Sequence, residues 1–327
     1  MHNLPPEQAL WSLITSHAAA RCLQVVAEFG VADALGNRPM TAAELSAQTG
    51  LNADALNRML RLLAAHDVFA HEGDGYRHSQ ASELLRTDHP QSMRSLARMM
   101  GMPVLWNSFT ELAHAAKTGK PVLDWAALVA YFAGHPEESS LFNQAMTEKS
   151  SGIIPAVIAA YDFSSFGLIA DIGGGRGHLL RGILERTPTA SGIVFDLPHV
   201  IADASGHESE RVRLQSGDFF ADALPAADAY LLMEVIHDWN DQDAAKILAS
   251  VRRAAPAHAR VLIIEALVSE SPGPHFSKVL DIIMLAVTGG QERTPSEYEA
   301  LLASAGLRLE RVIPTLSQHS IVEAVVA

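Results

Sequence analysis

Five segments of this chain place polar side chains directly after apolar, strand-like runs. Leu168–Ile172 runs into Gly173–Gly174–Gly175–Arg176–Gly177, a glycine turn that opens a helix. A strand that delivers such a turn to a helix N-terminus can hold a nucleotide-like ligand, because glycine lets the backbone come close and take positive φ. The next run ends at Asp196, and an acid about 20 residues past the turn suits a ribose diol. A third leads to Gly217–Asp218–Phe219–Phe220, where Asp218 can accept from an exocyclic amine while Phe219 covers a ring face. A fourth ends in His237–Asp238–Trp239–Asn240–Asp241, and a fifth carries Glu265. Histidine is the side chain suited to moving a proton near neutral pH.

Spacing narrows the ligand. A dinucleotide fingerprint wants glycines at its first, third and sixth positions; counted from Gly173 the third is Gly175, but the sixth is His178. No Gly-Lys-Ser/Thr follows, so the turn is not a P-loop. Taken singly, each polar residue has a plainer reading. Asp196 is a possible helix cap, Asp218 a turn residue, and Asp238, Asn240 and Asp241 caps of the next helix. His237 is a possible satisfied core histidine. Their joint placement at successive strand ends favours a site.

The elements that position them alternate. Strands are expected at Leu168–Ile172, Gly192–Asp196, Val212–Ser216, Ala229–Val235 and Val261–Ala266. Helices are expected at Leu179–Thr187, near His199–Ala204, at Ala244–Ala254 and at Pro295–Ala305. This predicts an α/β fold, Rossmann-like, with a mostly parallel sheet and helices on both faces, whose ligands sit at the carboxyl ends of the strands.

Upstream, a helix is expected over Glu7–Phe29, ended by Gly30, then a short piece at Val31–Leu35. Thr41 with Glu44 forms a capping-box pattern and Asn52 caps a helix over Ala53–His66. Val68–His71 and Tyr76–His78 flank a glycine-containing turn and read as a hairpin. Helix, turn, helix and hairpin make a winged helix, which suits DNA binding or protein docking. Arg58 and Arg61 stand beside Asp54, and neutralising phosphates takes several cations on one face, so docking is favoured. Gln91–Ala116 is rich in methionine (Met93, Met99, Met100, Met102). Methionine reads first as helix core, and also suits the wall of a pocket for a flat apolar ligand. A break is expected at Phe132–Pro136 and a helix at Ser139–Lys149.

Bulk properties agree. The 327 residues allow two domains, and 48% hydrophobic with 19% charged residues supports a sizeable core. A net charge of -13 disfavours nucleic acid as the main partner. The single cysteine, Cys22, allows no internal disulfide or thiolate cluster and reads as a buried apolar side chain. The 15 histidines include no His-x-x-x-His pair, so no metal is expected. Met1–Pro6 lacks a leader pattern and no apolar run is long enough for a membrane span. A soluble, cytoplasmic protein is expected.

These motifs resemble the class I S-adenosylmethionine-dependent small-molecule O-methyltransferases, of the plant caffeate/flavonoid type and their bacterial natural-product relatives. The matching pieces are Asp171–Gly177, Phe195–Asp196–Leu197–Pro198, Gly217–Phe220, Val235–Ile236–His237–Asp238–Trp239, Gly289–Gly290–Gln291–Glu292–Arg293–Thr294 and Phe142–Asn143–Gln144–Ala145–Met146. The resemblance covers nearly the whole chain. It implies a winged-helix dimerisation domain over 1–98, a homodimer, and a methyltransferase domain over 99–327 whose segment 99–162 is a helical linker and pocket wall. It implies S-adenosylmethionine as cofactor (S-adenosylhomocysteine as product), held by Asp171, Gly173, Gly175, Asp196, Leu197, Asp218, Phe219 and Ser150. It implies His237 as general base, flanked by Glu265 and Glu292, and Phe142, Asn143, Met146, Asp238 and Met284 around a small aromatic acceptor. Two departures stand out. Met233 replaces the polar residue common four positions before the histidine, and the loop before Gly289 is shorter than in the plant enzymes.

A phenol with pKa ~10 is barely ionised at neutral pH, so a base near pKa ~6.5 is useful. Histidine fits, with a carboxylate on its other nitrogen to fix the tautomer. Two rivals remain: a relative that methylates nitrogen or carbon or binds the cofactor for other chemistry, and a winged-helix transcription factor with a ligand-sensing domain.

Overall fold

The computed structural model describes residues 5–204, 206 and 209–327. The Met1–Leu4 part of the stretch read for a leader lies outside the described residues. The chain divides into two compact units, Met1–Asn107 with Tyr131–Ser151, and Ser108–Ala130 with Gly152–Ala327.

The first unit opens with α1 (Pro6–Glu28), α2 (Val31–Ala34), α3 (Ala42–Thr49) and α4 (Ala53–Ala64), then a hairpin of β1 (Phe69–Glu72) and β2 (Gly75–His78). The caps are those the sequence predicts. Thr41 and Glu44 bond reciprocally, and Asn52 accepts from the Ala55 N–H. Leu45, Leu56, Leu60, Leu63, Phe69 and Tyr76 form the core. This gives the expected winged-helix order. Cys22 is half-buried rather than buried, because it packs on the rim of this core. Then follow α5 (Gln80–Glu83), α6 (Arg94–Met100), α7 (Pro103–Thr110), α8 (Leu112–Thr118), α9 (Trp125–Gly134) and α10 (Pro136–Ala160); of these α8 belongs to the second unit, and α7, α9 and α10 have residues in both. Met99 and Met102 are buried, but Met93 is 47% exposed at the start of α6. The break expected over Phe132–Pro136 shrinks to His135 between two helices.

The second unit is built on a seven-stranded sheet: β3 (Leu168–Ile172), β4 (Ser191–Asp196), β5 (Val212–Ser216), β6 (Ala229–Met233), β7 (Arg260–Glu265), β8 (Leu307–Pro314) and β9 (Ser320–Val326). Its spatial order is β5-β4-β3-β6-β7-β9-β8. β3 to β7 are parallel, and β9 is antiparallel between β7 and β8. The chain leaves β3 for β4 and β5 on one side and reaches β6 and β7 on the other. β3 is therefore the switch point, where an open α/β sheet binds ligands. The crossing helices are α11 (His178–Arg186), α12 (Pro198–Asp203), α13 (Asp241–Ala254), α14 (Phe276–Val287) and α15 (Pro295–Ser304). Val194, Leu231, Leu262 and Ile264 pack on one face with α11, and Tyr230, Leu232, Val261 and Ile263 on the other with α13 and α15. Both faces are covered, so these strands are apolar throughout. β6 ends at Met233 rather than Val235, because Glu234 takes a left-handed φ of 55°.

Candidate active site

The strand ends expected to carry chemistry gather on the carboxyl edge of this sheet. After β3 the chain makes the glycine turn. Gly173, Gly175 and Gly177 all have positive φ, between 57° and 71°, which only glycine adopts without steric cost. A Cβ on Gly173 would collide with Val235, and one on Gly177 with Val194. A Cβ on Gly175 would meet nothing within 4 Å. The turn thus packs tightly below and opens above Gly175.

Asp196, ending β4, holds this turn in place. Its Oδ2 accepts from the Gly175 N–H at 2.8 Å and its Oδ1 from the Leu197 N–H at 2.7 Å. A carboxylate offers about four acceptor sites, so each oxygen keeps capacity for a ligand hydroxyl. Asp171 lies beneath, buried, with Oδ2 lacking any partner among the described residues. Burial foremost, then the charge of Asp196, pushes its carboxyl up to about 7. Asp218 Oδ1 accepts from the Phe220 N–H at 2.8 Å, so the turn reading holds for that oxygen. Phe219, Phe220 and Trp239 form an edge-to-face cluster with centroids 4.8 to 6.0 Å apart. A glycine cradle open at Gly175, an acid beside it and an aromatic wall fit S-adenosylmethionine.

After β6, Ile236–Asp238 form a single 3-10 turn that carries His237. The histidine is 4% exposed. Its Nδ1 lies 2.7 Å from Glu292 Oε1 and 3.3 Å from Glu265 Oε2, so Nδ1–H donates to Glu292. Its Nε2 lies on the opposite side of the ring, 3.9 Å from Asp238 Oδ1. Glu265, ending β7, also accepts at Oε1 from the N–H groups of Val235, Ile236 and His237, at 3.0 to 3.3 Å. One carboxylate therefore caps the turn and faces the ring.

Burial alone would lower the proton affinity of His237. The charge of Glu265, the hydrogen bond to Glu292 and the charges of Asp238 and Glu292 outweigh it and raise the pKa to about 10. This corrects the expectation of an ordinary imidazole near 6.5. Burial chiefly raises Glu265 as well, to about 8, against the pull of His237. Among the described residues these three side chains are also the one set of donor atoms close enough to hold a metal. The 2.7 Å separation of Nδ1 and Oε1 is, however, that of a hydrogen bond.

Glu292 is delivered by the loop after α14. Its N–H donates to Asp281 Oδ1 at 3.0 Å, and the neighbouring Gln291 N–H donates to the His237 carbonyl at 2.9 Å. A Cβ on Gly290 would overlap that same carbonyl oxygen. Arg293, to which the sequence assigns no role, is wholly buried. It donates to the carbonyls of Ile236, Gln291 and Trp239 and pairs with Asp241 at 2.9 Å. Asp241 is thus a partner for Arg293, and Asn240 is the cap of α13. The signal for Arg293 was its place in the Gly289–Thr294 motif. Met284 is buried on α14, and Met233 is half-buried at the end of β6. Phe142, Asn143, Met146 and Ser150 lie half-buried on α10, within the first unit.

The sheet order, with its switch point at β3, is that of the Rossmann-like α/β class. The chain belongs to the O-methyltransferase family: the profile of the O-methyltransferase domain matches residues 109–308, and that of the O-methyltransferase dimerisation domain matches residues 11–88. It is a methyltransferase that uses S-adenosylmethionine. It is 39% identical to phenazine O-methyltransferase PhzM of Lysobacter antibioticus, over 98% of this chain and 96% of that one. It is 34% identical to an 8-amino-8-demethylriboflavin N,N-dimethyltransferase of Streptomyces davaonensis, over 97% and 94%. Among solved structures it resembles NcsB1, an O-methyltransferase from neocarzinostatin biosynthesis in complex with S-adenosylhomocysteine and 1,4-dihydroxy-2-naphthoic acid. That likeness has a TM-score of 0.78 and 33% identity over 95% and 96% of the two chains.

Proposed function

We propose that the chain methylates a hydroxyl of a small, flat aromatic acceptor of the phenolic or polyketide-like kind, with His237 as general base. The observation that carries this is the ring's orientation. Nδ1 is fixed by Glu292 at 2.7 Å, which leaves Nε2 on the far side to take a proton. Bound S-adenosylmethionine supplies a methyl group made electrophilic by its sulfonium. Gly173, Gly175 and Asp171 would hold its amino-acid end, Asp196 and Leu197 its ribose, and Asp218 and Phe219 its adenine, with Ser150 a further contact. Phe142, Asn143, Met146, Asp238 and Met284 would orient the acceptor.

Glu265 and Glu292 raise the affinity of His237 for a proton. That moves it up from the ordinary imidazole value toward a phenol's pKa of ~10, which makes the ring a stronger base for the acceptor's proton. No metal is needed for this step. An amine already carries its lone pair, so the carboxylate-backed histidine favours an oxygen acceptor over the nitrogen methylated by the riboflavin-type relative. Incubation with methyl-labelled S-adenosylmethionine and a panel of fused-ring phenols and anilines tests this. Label on phenolic oxygen is expected; label on nitrogen alone would contradict it.

Residues 1–98 act in this reading as the dimerisation part and 99–327 as the methyltransferase part, with 99–162 as linker and pocket wall. Leu10, Trp11, Leu13 and Ile14 on α1 are each more than 60% exposed. Apolar residues exposed together on one helix support a second copy as partner. Exposed Asp54 beside Arg58 and Arg61 supports docking rather than nucleic-acid binding. Among the described residues no helix is long and apolar enough to cross a membrane.

A further inference from the structure

Glu234 and His319 have no part in the mechanism above. Among the described residues only Asp67 and Glu234 take a positive φ without being glycine, at 59° and 55°. Aspartate is one of the few side chains enriched there; glutamate is not. Glu234 stands between the end of β6 and Val235, the first of the three residues whose N–H groups converge on Glu265 Oε1. Its own N–H still donates to the Ile264 carbonyl at 3.0 Å. The ladder with β7 thus reaches Glu234, and the backbone then swings into the 3-10 turn of His237.

The Glu234 side chain meets His319, whose Nε2 lies 3.1 Å from Oε1; the two side chains are 11% and 3% exposed. His319 Nδ1 has no hydrogen-bond partner among the described residues, so the bond to Glu234 is the ring's polar anchor. The next residue, Ser320, pairs in register with Glu265. Glu234, Glu265 and His319 therefore stand at one end of three neighbouring strands, β6, β7 and β9.

We propose that the Glu234–His319 hydrogen bond is a positioning device for the catalytic histidine. It holds Glu234 in the left-handed conformation that aims the Val235–His237 backbone at Glu265 and so sets the direction of the imidazole. His319 is accordingly a positioning residue that acts through Glu234. The proposal rests on the reading of His237 as base.

The test is a double-mutant cycle read in kcat, KM and the affinity for S-adenosylhomocysteine. His319→Ala is expected to lose about tenfold or more in kcat, with that affinity within about twofold of the parent. His319→Gln, which keeps an N–H donor, should recover most of the loss. In a Glu234→Gly background, removal of His319 should cost less than about twofold, because glycine holds positive φ unaided. An equal loss in both backgrounds, or a loss of cofactor-product affinity that tracks kcat, would overturn the proposal. If His319→Ala does not fold, the double variant should fold; if that fails too, the proposal is wrong. His237→Ala in the same assay judges the base assignment separately, since turnover surviving there refutes the base and leaves the cycle readable.

Discussion

Gly290 lies so close to the backbone of His237 that a side-chain carbon would overlap the His237 carbonyl oxygen and stand 2.8 Å from Asp238 Cα. The loop that delivers Glu292 and the turn that carries the base are thus in backbone contact. Gly290→Ala must push them apart. Overpacking of this kind costs about 1–3 kcal/mol, measurable by denaturant unfolding. Because it separates Glu292 from Nδ1, kcat should fall by about tenfold or more, with cofactor affinity retained. An alanine variant of normal stability and turnover would show that the contact is not rigid.

The charges on His237 predict a pH dependence. Burial opposes the charged ring, while Glu265, Glu292 and Asp238 raise its pKa to about 10. A base held protonated gains activity as pH rises, so kcat/KM should climb from neutral pH toward pH 10. Glu265→Gln keeps an oxygen for the three backbone N–H groups but removes the negative charge that chiefly raises the ring. The limb should then move to lower pH, by on the order of one unit. The acceptor's own titration is common to both proteins, so the difference isolates the cluster. Superimposable profiles would mean that Glu265 does not set the proton affinity of His237.

Trp11 and Leu13 are 70% and 61% exposed on α1. If a second copy covers them, Trp11→Asp or Leu13→Asp should break the assembly. Light scattering should then give the 35.1 kDa chain mass in place of about twice that value. A dimer unchanged in both variants would move the interface elsewhere.

The glycine turn, Asp196, the His237 segment and Glu265 were legible in the sequence because each follows an apolar run that can only be a covered strand. The antiparallel pair β8 and β9 was not, since Arg308, Glu310 and Arg311 interrupt the apolar pattern of β8. Glu292 was found through its motif, yet its bond to His237 spans 55 positions, and nothing local announces it. The proton affinity of His237 depends on three carboxylates brought in by separate elements, so a sequence suggests only the unperturbed value. Arg293 appears in the sequence only as a member of the Gly289–Thr294 motif, and it is buried where the carbonyls of Ile236, Gln291 and Trp239 converge on it. Glu234 carries no sequence mark of a left-handed conformation. Its partner, His319, lies 85 positions away.

His237→Ala decides whether His237 takes the acceptor's proton. Single-turnover methyl transfer from labelled S-adenosylmethionine is compared with the parent, alongside the affinity for S-adenosylhomocysteine. General-base catalysis contributes about 10²–10⁴-fold, so a loss in that range is predicted, with affinity unchanged. Transfer at the parent's rate, or a loss explained wholly by weaker binding of S-adenosylhomocysteine, would mean that His237 does not take the proton.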